Sequence, residues 1–121
     1  MFRRSLVALA LCMLVLAPLA PMATAKPVGG IKYAKGRVEA RSTDTYSVTC
    51  HGDEPTRVFV FGDGDTDLDV YVYDADDNLV GADDDYTDTC IVMWIPPKTG
   101  EFSIRIRNLG TVYNNYTILV D

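Results

Sequence analysis

Downstream of Lys35 the chain is a succession of short runs in which apolar and polar residues alternate. Arg37 to Arg41 alternates weakly and Asp44 to Cys50 clearly. Thr56 to Phe61 (TRVFVF) and Leu68 to Tyr73 (LDVYVY) have the length and the β-branched and aromatic content of strands. Leu79 to Ala82 returns from a turn at Asp74 to Asn78, where Asp and Asn side chains bond their own backbone. Thr89 to Ile95 (TCIVMWI) is almost continuously apolar, the pattern of a central strand covered on both faces. Glu101 to Arg107 (EFSIRIR) puts Phe102, Ile104 and Ile106 on one side and Arg105 and Arg107 on the other, and Tyr113 to Val120 closes the chain. Turns are set by His51 to Pro55 and by Pro96 to Gly100. No segment keeps helical spacing for two turns. About eight strands with a turn every ten or so residues predict an all-β fold, an antiparallel β-sandwich or barrel.

The first 25 residues follow another rule. Arg3 and Arg4 precede an unbroken apolar run, Leu6 to Ala17, which Pro18 and Pro21 then interrupt. Ala23-Thr24-Ala25 is the small-x-small pattern of signal peptidase cleavage. The run is short of the roughly 20 residues that span a bilayer, so it predicts an export signal rather than an anchor. The expected organisation is a signal peptide over 1–25, a flexible leader over 26–35 and one domain over 36–121, exported to the periplasm or medium. No membrane insertion is expected after cleavage.

Charge narrows the partners. The chain carries −6, and removing Arg3 and Arg4 with the signal, but no acid, takes the balance to −8. Such a surface repels nucleic acid and anionic membranes and suits divalent cations. Of the three cysteines, Cys12 leaves with the signal. An even pair in an exported chain, Cys50 and Cys90, predicts a disulfide. The alternative, a zinc site adding His51, has three ligands and no CxxC spacing. Trp94, inside the most continuously apolar run, is expected in the core.

Catalysis needs a nucleophile, a base and an orienting group. Past the signal there are one histidine, beside Cys50, and three serines, Ser42, Ser47 and Ser103. No G-x-S-x-G, HExxH or phosphate-cradling glycine loop is present. The expectation is a protein that is not an enzyme.

Aspartate carries the most information. Gly62 to Asp85 holds ten aspartates in 24 residues around the LDVYVY run. In an extended chain Asp63, Asp65, Asp67 and Asp69 share one face and Leu68, Val70 and Val72 take the other. Pairing Val72 with Val80 sets Asp69 against Asp83 and Asp67 against Asp85. Like charges directly opposite destabilise a sheet unless something neutralises them. Calcium, ligated by hard oxygens, would do so. Asp67 and Asp69 are the first candidate ligands, Asp83, Asp84 and Asp85 the second group, and Asp63 and Asp65 a third if the glycines let the loop curl. The alternative is an acidic surface that keeps the domain soluble and its edges unpaired.

The stretches TYSVTC, TDLDVYVYDADDNLVG, MWIPPKTGEFSIRI and NNYTILV stand in the order and spacing of the bacterial pre-peptidase C-terminal domain, and the chain resembles that family from about Arg37 to Val120. Asp67, Asp69 and Asp74 fall on its acidic positions, and Trp94, Pro97, Gly100 and Phe102 on its Pro-Gly turn. The resemblance implies a jelly-roll-like sandwich similar to the collagen-binding domains of clostridial collagenases, some of whose relatives bind calcium. The expected function is a monomeric, non-catalytic exported binding or adhesion module, stabilised by calcium, for an extracellular protein or polysaccharide. The tyrosines Tyr71, Tyr73, Tyr86, Tyr113 and Tyr116 are candidates for its ligand face. Two alternatives stand beside it: a purely structural envelope domain, and an accessory or inhibitor acting in trans on a secreted peptidase.

Overall fold

A computed structural model describes residues 32–121, and there the alternation resolves into eight strands: β1 Lys32–Val38, β2 Thr43–Cys50, β3 Thr56–Phe61, β4 Leu68–Tyr73, β5 Leu79–Asp83, β6 Thr89–Trp94, β7 Gly100–Asn108 and β8 Asn114–Val120. They form two four-stranded antiparallel sheets. Sheet I runs β1-β8-β3-β6 and sheet II runs β2-β7-β4-β5. This is the expected all-β sandwich. The signal peptide, its cleavage site and Cys12 lie outside the described residues. Among the described residues no helix is long and apolar enough to cross a membrane.

The core is made by the inward half of each alternating run. Val58 and Val60 of β3, Leu68, Val70 and Val72 of β4, and Ile104 and Ile106 of β7 are fully buried, with Ile118 of β8 beside them. Each such side chain contributes about 1.5 to 3 kcal/mol over an exposed one. Trp94 is buried as expected, its ring centre 5.6 Å from that of Phe102.

Polar groups join the sheets where apolar ones do not reach. Tyr46 of β2 and Tyr116 of β8 meet hydroxyl to hydroxyl at 2.5 Å, and Tyr116 donates to Asp44 Oδ2 at 2.7 Å. Burial pushes the Tyr46 phenol up to about 12 and raises Tyr116 further. Gly36 of β1 lies against this pair, and a Cβ there would stand 2.6 Å from the Tyr116 hydroxyl. At one end of the sandwich the buried Asn108 donates to the carbonyls of Val38 and Val112 and accepts from Gly110 N.

Three expectations need correction. The first strand is Lys32–Val38, so it begins inside the stretch read as a leader, while Ala40 and Arg41 form the turn that follows. Its inward residues, Ala34, Gly36 and Val38, are small, which hides the strand from a reading based on hydrophobicity. Second, β6 is an edge strand rather than a central one. Cys90, Val92 and Trp94 face the core, whereas Ile91, Met93 and Ile95 are exposed, so its continuous apolar run has one face in solvent.

Third, Cys50 and Cys90 are not joined by a disulfide. Cys50 is opposite Gly100 at the start of β7. The Cys90 thiol donates to Leu68 O at 3.1 Å, and Leu68 is opposite Asn108 at the other end of β7. Eight residues of strand separate those positions by about 26 Å, far beyond the roughly 7 Å between Cα atoms that a disulfide spans.

Candidate functional site

The aspartate-rich segment divides into residues committed to the backbone and residues left open. Gly64 takes a left-handed φ of 89°, so the loop after β3 does curl. Its carboxylate Asp63 is spent on that curl, accepting from Asp65 N at 3.0 Å and from Asn115 N at 2.8 Å. Asp65 stays exposed. Asp74 closes the β4–β5 turn by accepting from Asp76 N and Asn78 N, and these amides hold its carboxyl below the usual carboxylate range. Asp85 accepts from the Thr87 amide and hydroxyl.

The β4–β5 register differs by one residue from the expected one. Val72 pairs with Gly81 and Val70 with Asp83, with an irregularity between Val72 and Tyr73. Packing explains the shift. A Cβ at position 81 would stand 2.6 Å from Val92 Cγ1, so this inward site takes glycine and would reject Val80. Asp83 consequently lies on the inward face, where Oδ2 accepts from Ile91 N at 2.8 Å and occupies one amide of the β6 edge. Asp84, rather than Asp83, now stands nearest Asp69.

Asp67 and Asp69 are the pair left open. Asp69 is 5% exposed, its Oδ2 accepts from the Tyr71 hydroxyl at 3.1 Å, and its Oδ1 is buried without a hydrogen-bond partner. Asp67 Oδ1 is orphaned in the same way. Burial, with Asp85 and Asp88 behind it, raises the Asp67 carboxyl. Burial also raises that of Asp69, reinforced by the charges of Asp67 and Asp84 and partly offset by the Tyr71 hydrogen bond and by Arg107. A buried acceptor with no donor costs about 1 to 3 kcal/mol, and more when charged. Among the described residues, no group of three or more His, Cys, Asp or Glu side chains stands in metal-holding geometry.

Asp88 and Asn114 were not legible as site residues. Asp88 Oδ2 accepts from Gly64 N at 2.6 Å and from Asn114 Nδ2 at 3.1 Å, and Asn114 also donates to Thr66. Together they fasten the loop before β4 to the start of β8. The only signal was an amide beside a turn, in the NN pair of VYNNY.

Beside Asp69 the outer face of sheet II holds a shallow depression of about 490 Å³ lined by Thr43, Tyr71, Tyr73, Arg105 and Arg107. The registers align Thr45, Arg105 and Tyr71, and next to them Ser47, Ser103 and Tyr73. The Arg105 guanidinium lies 3.9 Å from the Tyr73 ring centre and is held by Asp77 Oδ1 at 2.9 Å. The two half-buried phenol rings and the guanidinium thus form a fixed platform, with the exposed Arg107 at its margin. Of the other tyrosines, Tyr86 is 94% exposed at a loop tip, Tyr113 lies under Arg37, and Tyr116 is in the core.

No family model and no curated protein sequence matches the chain. Solved structures do. The pre-peptidase C-terminal domain of collagenase from Bacillus anthracis is similar with a TM-score of 0.59 and 13% identity, over 74% of this chain and 88% of that one. PliG of Aeromonas hydrophila, a periplasmic inhibitor of g-type lysozyme, is similar with a TM-score of 0.57 and 14% identity, over 75% and 84%. The resemblance read from the four sequence stretches holds at the level of the fold.

Proposed function

We propose that the protein is a non-catalytic, exported binding module that presents the Tyr71–Tyr73–Arg105 platform to an extracellular polysaccharide or protein and is stabilised by calcium. The platform is the observation that carries this reading. Aromatic faces offer sugars and peptide side chains a rigid apolar surface, and the guanidinium adds directed donors. Loss of binding to extracellular polymers in Tyr71→Ala/Tyr73→Ala, with a circular dichroism spectrum that stays native, is the expected result. Binding that survives both substitutions refutes it.

Calcium rests on the two orphaned carboxylate oxygens. Asp67 and Asp69 would supply the fixed ligands, and Asp84 and Asp85 would move in from the exposed loop to complete the shell. The cation would add positive charge to that of Arg107, the cross-strand neighbour of Asp69, and an all-oxygen set favours calcium over zinc or copper. At tenfold over its Kd, calcium would stabilise by about 1.4 kcal/mol, or roughly 6 to 11 °C in a domain of this size. Equal melting temperatures in chelator and in millimolar calcium would refute the calcium part alone.

The trans-acting inhibitor is the second reading, favoured by the fold shared with the PliG inhibitor. A stoichiometric loss of a secreted hydrolase's activity on mixing would support it.

A further inference from the structure

Beside the platform, the outward side chains of β2 are Thr43, Thr45, Ser47 and Thr49, and each carries a hydroxyl, while Tyr46, Val48 and Cys50 between them are buried. β2 is an edge of sheet II, and across β7 the four stand opposite Arg107, Arg105, Ser103 and Glu101. Tyr71 and Tyr73 flank β7 on its other side. The outer face is thus a track along the strands, with hydroxyls at one margin, phenol rings at the other and guanidinium groups between. Two strand spacings make it about 10 Å wide, and six residue steps from Thr43 to Thr49 make it about 20 Å long.

The cations of this track are already matched. Arg105 is paired with Asp77 Oδ1 at 2.9 Å, and Arg107 stands opposite Asp69, whose charge it offsets. Asp84 acts on both Asp69 and Tyr71, and Glu101 faces Thr49. A polyanion would therefore meet Asp84 and Glu101 with no guanidinium left over to attract it, on a chain whose net charge is −6. A polycation would meet two guanidinium groups at the centre. The apolar anchor of a protein partner would find no aliphatic side chain among the described residues lining the depression. What the track does offer is fixed. The Tyr71 hydroxyl is tied to Asp69 and the Tyr73 ring lies under Arg105, so little order is lost when a ligand settles there.

Resting on the platform reading, we infer that its ligand is a neutral polysaccharide lying along the strands over β7, between the two tyrosines and the hydroxyl row of β2. Sugar hydroxyls donate and accept, and the track answers with threonine and serine hydroxyls, which do both, and with guanidinium N–H donors. The width fits one sugar chain, and the length takes several units of it.

Isothermal titration calorimetry with three neutral polymers (xylan, hydroxyethylcellulose and galactomannan), with polygalacturonate and with chitosan tests this. The expected result is binding to at least one neutral polymer and to neither charged one. Its affinity should change less than about twofold between about 20 and about 500 mM salt, a range that screens charge–charge binding. Thr45→Val and Thr49→Val keep the β-branch, remove the hydroxyl and should each weaken that binding about fivefold with native circular dichroism. Asp77→Asn, which suits the left-handed φ of 65° at that turn, should leave neutral binding intact and create binding to polygalacturonate. A preference for polygalacturonate or chitosan, a salt-sensitive affinity, or unchanged affinity in both valine variants overturns the inference. So does a protein that binds none of the neutral polymers. The platform reading survives those results wherever the ligand that does bind, protein or charged polymer, is lost in Tyr71→Ala/Tyr73→Ala. Neutral binding that persists in that double variant overturns both.

Discussion

On sheet II the residues between core positions are Thr45 and Ser47 of β2, Ser103 and Arg105 of β7, and Tyr71 and Tyr73 of β4. On sheet I the corresponding outward residues include Phe59 and Phe61 of β3, Leu119 of β8, and Ile91 and Met93 of β6. Both sheets supply the same kind of side chain to the shared core, mainly valine, isoleucine and leucine. The inward half of the alternation therefore specifies the fold and is common to both. The outward half separates them. Sheet II offers hydroxyls, phenols and guanidinium groups suited to a hydrated ligand, and sheet I offers an apolar row, Tyr33, Leu119, Phe59 and Ile91, flanked by Lys35 and by the Arg57–Asp121 ion pair.

The severest way to break the comparison is to remove what both faces rest on. Trp94→Ala would cost about 3 to 5 kcal/mol, much of the roughly 5 to 15 kcal/mol margin of a domain. Platform and apolar face would be lost together. Urea unfolding followed by circular dichroism measures this, and in the native protein Trp94 fluorescence should resist aqueous quencher.

Alkali tests the strap between the sheets, since Tyr46 belongs to II and Tyr116 to I. The folded Tyr46 phenol lies at about 12 against 10 for its ordinary value, and Tyr116 is raised too. The folded state thus holds a proton that the unfolded state releases. Stability should be intact below pH 10 and fall above it, by roughly 2 kcal/mol at pH 12 from Tyr46 alone. Tyr46→Phe should lose that part of the alkaline slope in pH-dependent denaturation.

Acid separates the sheets, because the strained carboxylates Asp67 and Asp69 lie at β4 of sheet II. Their folded values are raised, so without calcium the folded state binds protons more readily than the unfolded one. In chelator, the melting temperature should climb as pH falls from 7 toward the ordinary carboxylate value, opposite to the usual acid destabilisation. Asp69→Asn, which keeps an acceptor for Tyr71, should raise the neutral-pH melting temperature in chelator and flatten that climb.

The smallest effect sharpens the contrast between the faces. Tyr73→Ser and Ile91→Thr should each change stability by no more than about 0.5 kcal/mol, checked by thermal melts. Only the first should alter ligand binding.

Strand positions were legible because a period of two is written directly in residues such as Phe102, Ile104 and Ile106. β1 was not, since Ala34, Gly36 and Val38 bury little. The β6 run misled because an apolar sequence reads as buried, whereas Ile91, Met93 and Ile95 are exposed on the outer side of an edge strand. Clustering of acids was legible, but the division between Asp69, left open, and Asp83, bonded to Ile91 N, was not. It depends on the one-residue register that Gly81 permits beneath Val92. The disulfide failed for a similar reason, as parity of cysteines carries no distance.

The Cys90 thiol, buried beneath the Leu68 carbonyl and raised to about 12 by burial and the surrounding acids, has a practical consequence. A thiol reagent reaches it only when β6 leaves β3 and β4, so its labelling in native buffer acts as a clock for rare openings of the sandwich. Because no disulfide joins it to Cys50, the same clock runs in reducing and oxidising solution, and its rate with and without added ligand converts directly into a binding free energy.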